Sequence, residues 1–219
     1  MTVTGGSLDG KTAGFMIKVE ELTPDLSKVR LYHTSVTRAI ASWASFSEPG
    51  FSGSFEDYIA EKFPVSMAAD YAIIEAGIVS EETYAEQGLT WEKLYHPLTR
   101  YIMQKWQPDL VLAGYPTIDE FQHQFLGLVT RTLPNGDANP SYDDLNVDGT
   151  KDGRVGQREG FIRAAYQGAD KTLALVNSLM PRNTTNFVAS DHGFAPQFLA
   201  IDASQVLVDL GLLSKPQTS

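Results

Sequence analysis

Two short apolar runs, neither broken by polar alternation, set the strongest limit on how this chain can fold. The first is Leu110-Val111-Leu112-Ala113, bounded by Pro108-Asp109 and Gly114. The second lies within Asn186-Phe187-Val188-Ala189-Ser190. A strand covered on one face alternates apolar and polar residues. A continuous run between turn residues reads as a strand covered on both faces, as in parallel sheets. Each run is followed by an Asp and a His: Asp119 and His123 after the first, Asp191 and His192 after the second. In an open α/β sheet the ligand crevice lies beyond the carboxyl ends of the strands. The pattern therefore predicts two carboxylates and two imidazoles at one sheet edge.

The rest of the chain fits around that pair. The expected fold is α/β: a mainly parallel sheet flanked by helices, with a small antiparallel element at the N-terminus. Lys11–Val19 and Lys28–His33 read as a hairpin around a polar stretch containing Pro24 and Asp25. A short helix is expected at Thr37–Trp43, and another at Phe55–Phe63 capped by Ser54. Ser80-Glu81-Glu82 is a further helix opening. Thr90–Trp106 has apolar residues at helical spacing, with Pro97 expected to kink it or to mark a late start. Residues 117–132 continue as helix or turn; if helical, Asp119 and His123 share one face. Glu159–Met180 reads as a long helix burying Phe161, Ile162, Ala165, Ala169, Leu173, Val176 and Met180, and Ala203–Leu210 as a last one. Residues 1–219 are taken as one domain, with 133–158 an acidic Gly/Asp-rich insertion.

Bulk properties narrow the function. The chain has 219 residues, 42% hydrophobic and 20% charged, an ordinary globular balance. Its net charge of −10 argues against a nucleic acid polymer as partner. A small phosphorylated substrate held through metal ions remains compatible with that charge. The absence of cysteine removes disulfides and thiolate metal sites. No apolar run approaches the roughly 20 residues of a membrane span. No signal-peptide apolar region is present either, so export, to the periplasm or outside the cell, is left open.

Carboxylate and neutral imidazole are ligands that zinc accepts, and a catalytic zinc keeps a position open for water or substrate. Asp119, His123, Asp191 and His192 are the candidate metal ligands. His33 and His96 follow no such run and are assigned packing or surface roles. A second candidate ion site lies in the insertion. Asp148 to Glu159 has the spacing of an EF-hand-like calcium loop, with Asp148, Thr150 and Asp152 as early ligands, Gly153 at the turn and Glu159 as the last. An overlapping frame beginning at Asp144 and Asn146 ends on Val155, which cannot chelate.

The segments PDLVLAGYPTIDEFQH and FVASDHGF resemble the type I phosphodiesterase/nucleotide pyrophosphatase family of the alkaline phosphatase superfamily. The helix between them, with Tyr166 and Asp170, and the Gly211-Leu212 pair after the last helix are also similar. The resemblance implies a two-metal, usually zinc, phosphoester hydrolase in which Asp119 and His123 share one metal and Asp191 and His192 the other. It also implies an upstream Asp ligand, a Thr or Ser nucleophile and a further downstream His. Asp9 and Thr12 do not match the first two, and no His follows His192. The expectation is therefore a fragment of a longer catalytic domain, with incomplete zinc sites and little activity of its own. Sulfatases and metal-dependent phosphomutases share the superfamily architecture. The alternative from a different class is a non-catalytic module that binds calcium or a partner and carries vestigial metal motifs.

Overall fold

The computed structural model describes residues 2–63, 72–198 and 202–214. After a 3-10 turn at Gly6–Leu8 come β1 (Ile17–Leu22) and β2 (Val29–His33), then α1 (Phe55–Lys62), α2 (Ala72–Glu75), α3 (Glu81–Trp106), α4 (Thr117–Val129), α5 (Val155–Leu179) and α6 (Ala203–Asp209). The fold is mixed α/β, with six helices and a two-stranded antiparallel sheet among the described residues. No helix there is long and apolar enough to cross a membrane.

The β1–β2 hairpin starts later than the sequence suggests because its turn fixes the register. Asp25 accepts from the amide and hydroxyl of Ser27, and the Thr23 amide donates to the Lys28 carbonyl. That pairs Leu22 with Val29 and Ile17 with His33, with an irregularity between Val19 and Glu21. The hairpin is anchored on the first turns of α3. Tyr32 Oη donates to buried Gln87, and Glu20 accepts from Thr83 Oγ1 at 2.5 Å.

Local capping explains the helix starts. Ser54 and Asp57 form a reciprocal capping box at α1, as expected there. Ser80 accepts from the Thr83 amide, so α3 begins at Glu81 and runs unbroken through Pro97. It stops at Gln107, which adopts a left-handed conformation immediately before Pro108.

The core lies where α3, α4 and α5 meet. Tyr84 and Ala85 of α3, Phe121, Phe125 and Leu128 of α4, and Ala165 of α5 form one buried cluster, joined by Tyr32 and Ile74. Gly88 admits this packing: a Cβ there would stand 2.5 Å from the Phe121 ring. A second, aromatic cluster fastens the 43–63 segment, which includes α1, to the end of α3. Trp43 stacks on Trp106 at 5.0 Å, and Phe55 meets Trp106 edge-on at 5.4 Å.

Two expectations need correction. Thr37–Trp43 is not helical; Thr37 bridges to Gly14, and Arg38 reaches Thr12, Glu56 and Asp57, which holds this stretch open. The second concerns burial of the two apolar runs. Both lie outside any helix or strand, and neither joins a ladder among the described residues, where the sheet is antiparallel. Leu112 is 89% exposed and Phe187 87%. A continuous apolar run encodes a preference for cover on both faces. Cover itself needs neighbouring strands, and none of the described residues supplies them.

Candidate functional site

The site is built on the first turns of α4 and on the irregular segment after Asn186. α4 is fixed at its start by Thr117, which is almost wholly buried and whose hydroxyl donates to Glu92 Oε1 at 2.9 Å. One turn of helix then puts Asp119 and His123 side by side, with His123 Nε2 3.4 Å from Asp119 Oδ2. The second pair arrives from that irregular segment. His192 Nε2 lies 3.4 Å from Asp191 Oδ2 and 3.9 Å from Asp119 Oδ1. All four residues named from the sequence are therefore linked, in the order Asp191, His192, Asp119, His123.

Both imidazoles are oriented in the same sense. His192 Nδ1 faces the Gly193 carbonyl at 3.0 Å, and His123 Nδ1 faces Gln197 Oε1 at 3.0 Å. A ring nitrogen facing a carbonyl oxygen carries the proton, which leaves Nε2 as the lone-pair nitrogen of the neutral ring. Both Nε2 atoms point at Asp119. This is the arrangement in which histidines ligate metals, with the far nitrogen held by an oxygen acceptor. The Phe194 ring meets the His123 ring edge-on at 4.7 Å.

The local electrostatics favour positive charge. The Gly193 carbonyl, then the Asp191 charge, and to a lesser extent Asp119, hold the His192 pKa above its ordinary value. Burial, followed by the neighbouring Asp119 charge, pushes Glu120 upward. Asp119 Oδ1 is buried with no hydrogen-bond partner. An unsatisfied buried carboxylate oxygen is costly unless a cation stands beside it. In chemistry, then, the donors suit a divalent metal. In geometry they are joined in series, and among the described residues no group of three or more His, Cys, Asp or Glu converges on one point.

Gln197 has no signature in the sequence. Its place is set by α4: the Gln197 carbonyl lies 2.7 Å from where a Cβ on Gly127 would stand. The glycine at 127 is the one local trace of that close approach.

The other candidates sit apart. His33 Nδ1 contacts the Thr34 carbonyl and its ring meets Phe15; His96 Nε2 contacts Thr172 Oγ1 at 2.8 Å. Asp9 accepts from the Gly5 amide and Thr12 from Arg38, as turn and anchor residues do. In the insertion, Asp144 is buried and accepts from the amides of Asp148 and Gly149. Asp152 accepts from the Leu145 amide and from Arg158. Asp148 accepts from the Thr150 amide, while Asn146, Thr150 and Glu159 are exposed. Of these residues, Asp152 pairs with the chain's own Arg158, which also pairs with Glu81 and Asp143.

The model of the type I phosphodiesterase / nucleotide pyrophosphatase family matches residues 27–213. The match takes in the hairpin's second strand as well as both Asp/His pairs. No curated protein and no solved structure matches the chain.

Proposed function

Because the chain belongs to the type I phosphodiesterase / nucleotide pyrophosphatase family, we propose that it is a metal-dependent phosphoester hydrolase acting on a small phosphorylated substrate, with Asp119, His123, Asp191 and His192 as metal ligands. One observation carries this reading: Asp119 faces the Nε2 atoms of both His123 and His192. Zinc is the metal that this mixture of carboxylates and imidazoles suits best. When bound, paired metals supply Lewis acidity toward the phosphoryl oxygens and an activated oxygen nucleophile.

The residues of this chain supply the rest. Gln197 and the Gly193 carbonyl hold the imidazole tautomers, so that both Nε2 lone pairs face inward. Asp119, rooted in α4 behind the Thr117–Glu92 hydrogen bond, is the rigid member. Asp191 and His192 belong to the irregular segment after Asn186 and lie against it. In this reading the runs 110–113 and 186–190 are strands of a parallel, alkaline phosphatase-like sheet, which accounts for their exposed apolar side chains.

The test is direct. Zinc titration of the metal-stripped chain by calorimetry should give saturable binding, lost in Asp119→Asn and in Asp191→Asn. Zinc-dependent hydrolysis of bis-nitrophenyl phosphate, absent in the same variants, would fix the reaction class. Zinc binding that survives both substitutions would overturn the ligand assignment.

A further inference from the structure

The β1–β2 hairpin docks on α3 by its polar face. Lys18 pairs with Glu86, Glu20 accepts from Thr83, and Tyr32 donates to Gln87. Antiparallel pairing sets Val19 opposite Leu31, Leu22 opposite Val29 and Ile17 opposite His33. Residues directly opposite each other share one face of a sheet. Glu20 is an extra residue between the pairs of Val19 and Glu21, and it keeps Leu22 in phase with Val19. The face turned away from α3 is therefore a strip of aliphatic side chains. Ile17, Val19, Leu22, Val29 and Leu31 are each more than half exposed. An antiparallel sheet with one wet face normally buries the apolar one.

The tip of the hairpin extends this strip at a cost in strain. Leu26 has a φ of 59, in the left-handed region where Gly or Asn is expected. Its amide closes the turn on the Thr23 carbonyl at 2.9 Å, yet its side chain is 67% exposed. Burial within the chain does not offset the strain, and strained residues of this kind concentrate where the side chain has a function.

We propose that this face is a dimer interface, in which the aliphatic strips of two copies of the chain pack face to face about a two-fold axis, with Leu26 of each copy at the border. The area fits that occupant. At about 100 Å² for each half-bare aliphatic residue, the six present roughly 600 Å² per copy, the upper end of what a monomer leaves uncovered. Two such faces bury about 1,200 Å² together, the lower end for a specific interface. Charge points the same way. No charged side chain stands among the six, and at the border Lys28 and Glu21 neutralise each other at 2.8 Å. A strongly charged partner finds no complement there, whereas a second copy of this acidic chain meets no like charge along the strip. A two-fold contact needs only one self-complementary patch, and a flat aliphatic strip stacks on its own kind at the usual sheet spacing.

Sedimentation equilibrium of the whole chain over a range of concentrations tests the proposal. A reversible monomer–dimer equilibrium is expected, shifted wholly to monomer in Val19→Asp and in Leu31→Lys. Leu26→Gly should weaken the dimer about tenfold, the loss of one buried leucine, while the monomer's melting temperature stays equal or rises because strain is relieved. That pairing of weaker association with an undamaged fold separates an interface from a merely structural role. The chain has no cysteine of its own. A bis-maleimide of about 10 Å reach, the spacing of stacked sheets, should therefore link two Val19→Cys chains and leave Leu112→Cys chains unlinked. Asp191→Asn should leave the dimer unchanged, since the strip includes none of the candidate metal ligands. A chain that stays monomeric at every concentration would overturn the proposal and leave the face to a different protein or a lipid surface. A dimer that persists in both Val19→Asp and Leu31→Lys, or one linked through Leu112→Cys and not Val19→Cys, would place the contact elsewhere and overturn it equally.

Discussion

His123 Nδ1 and Gln197 Oε1 lie 3.0 Å apart across 74 residues of chain. The contact holds one imidazole tautomer, and it survives because Gly127 lets the Gln197 backbone lie directly on α4. Partners of this kind raise ligand basicity and fix ring orientation. Gln197→Ala should lower zinc affinity by about 10- to 100-fold, the usual cost of losing such a partner. Gly127→Ala should act in the same direction without touching any ligand. Calorimetry with zinc measures both, and wild-type affinity in the two variants would remove Gln197 from the site.

Glu92 gives a pH dependence whose sign follows from its burial. Desolvation raises its pKa above the ordinary 4.5, while the Thr117 hydrogen bond works the other way. The folded chain therefore favours the protonated group relative to the unfolded chain. Its contribution to stability is present in full below pH 4.5 and is lost as the pH rises through the raised folded value. Urea unfolding from pH 4.5 upward should show this decline in the wild type. Glu92→Gln should flatten it and make the protein relatively more stable at neutral pH.

Arg158 is the centre of a buried charge cluster. Its side chain is 1% exposed and reaches Glu81 and Asp152 at 2.6 Å and Asp143 at 3.3 Å. Taking away the cation leaves three carboxylates close together, one of them buried on α3. Arg158→Met should cost about 3–5 kcal/mol in urea unfolding, the range for breaking a buried pair from one side. Adding Glu81→Gln should recover part of that loss. If Arg158→Met costs no more than a surface change, the cluster does not tie α5 and the insertion to α3.

What the sequence made legible was local. The Ser54 cap, the Ser80 cap and the buried face of α5 each depend on residues within a few positions of one another. The Asp119/His123 pair needed only helical spacing. His192 meeting Asp119 was expected from the strand-end layout, although the two runs are exposed and, among the described residues, unpaired. The contacts that escaped were those between distant segments. Nothing in the alternation of residues marks Gln197 as a partner of His123. The count of carboxylates in 144–159 is visible in a sequence, whereas the arginine that folds back from α5 onto Asp152 is not. Thr37–Trp43 misled for the same reason: its apolar spacing is helical, and its conformation is set by Arg38 reaching residues far along the chain.

Val147 is the clearest point of backbone strain. Its φ of 53 is left-handed, a conformation costly for a β-branched residue. The cause is next to it. Asp144 binds the amides of Asp148 and Gly149 with its two carboxylate oxygens, and that clamp turns the chain sharply between them. The Val147 side chain gains little in return, since it is 57% exposed. Val147→Gly should therefore stabilise the protein by about 1 kcal/mol, with relief of strain exceeding the added freedom of the unfolded glycine. Val147→Asn should give a smaller gain, and Val147→Ile none. Thermal and urea unfolding of the three variants measure this. Destabilisation by glycine would mean that the turn is set by Val147 contacts rather than by the Asp144 clamp.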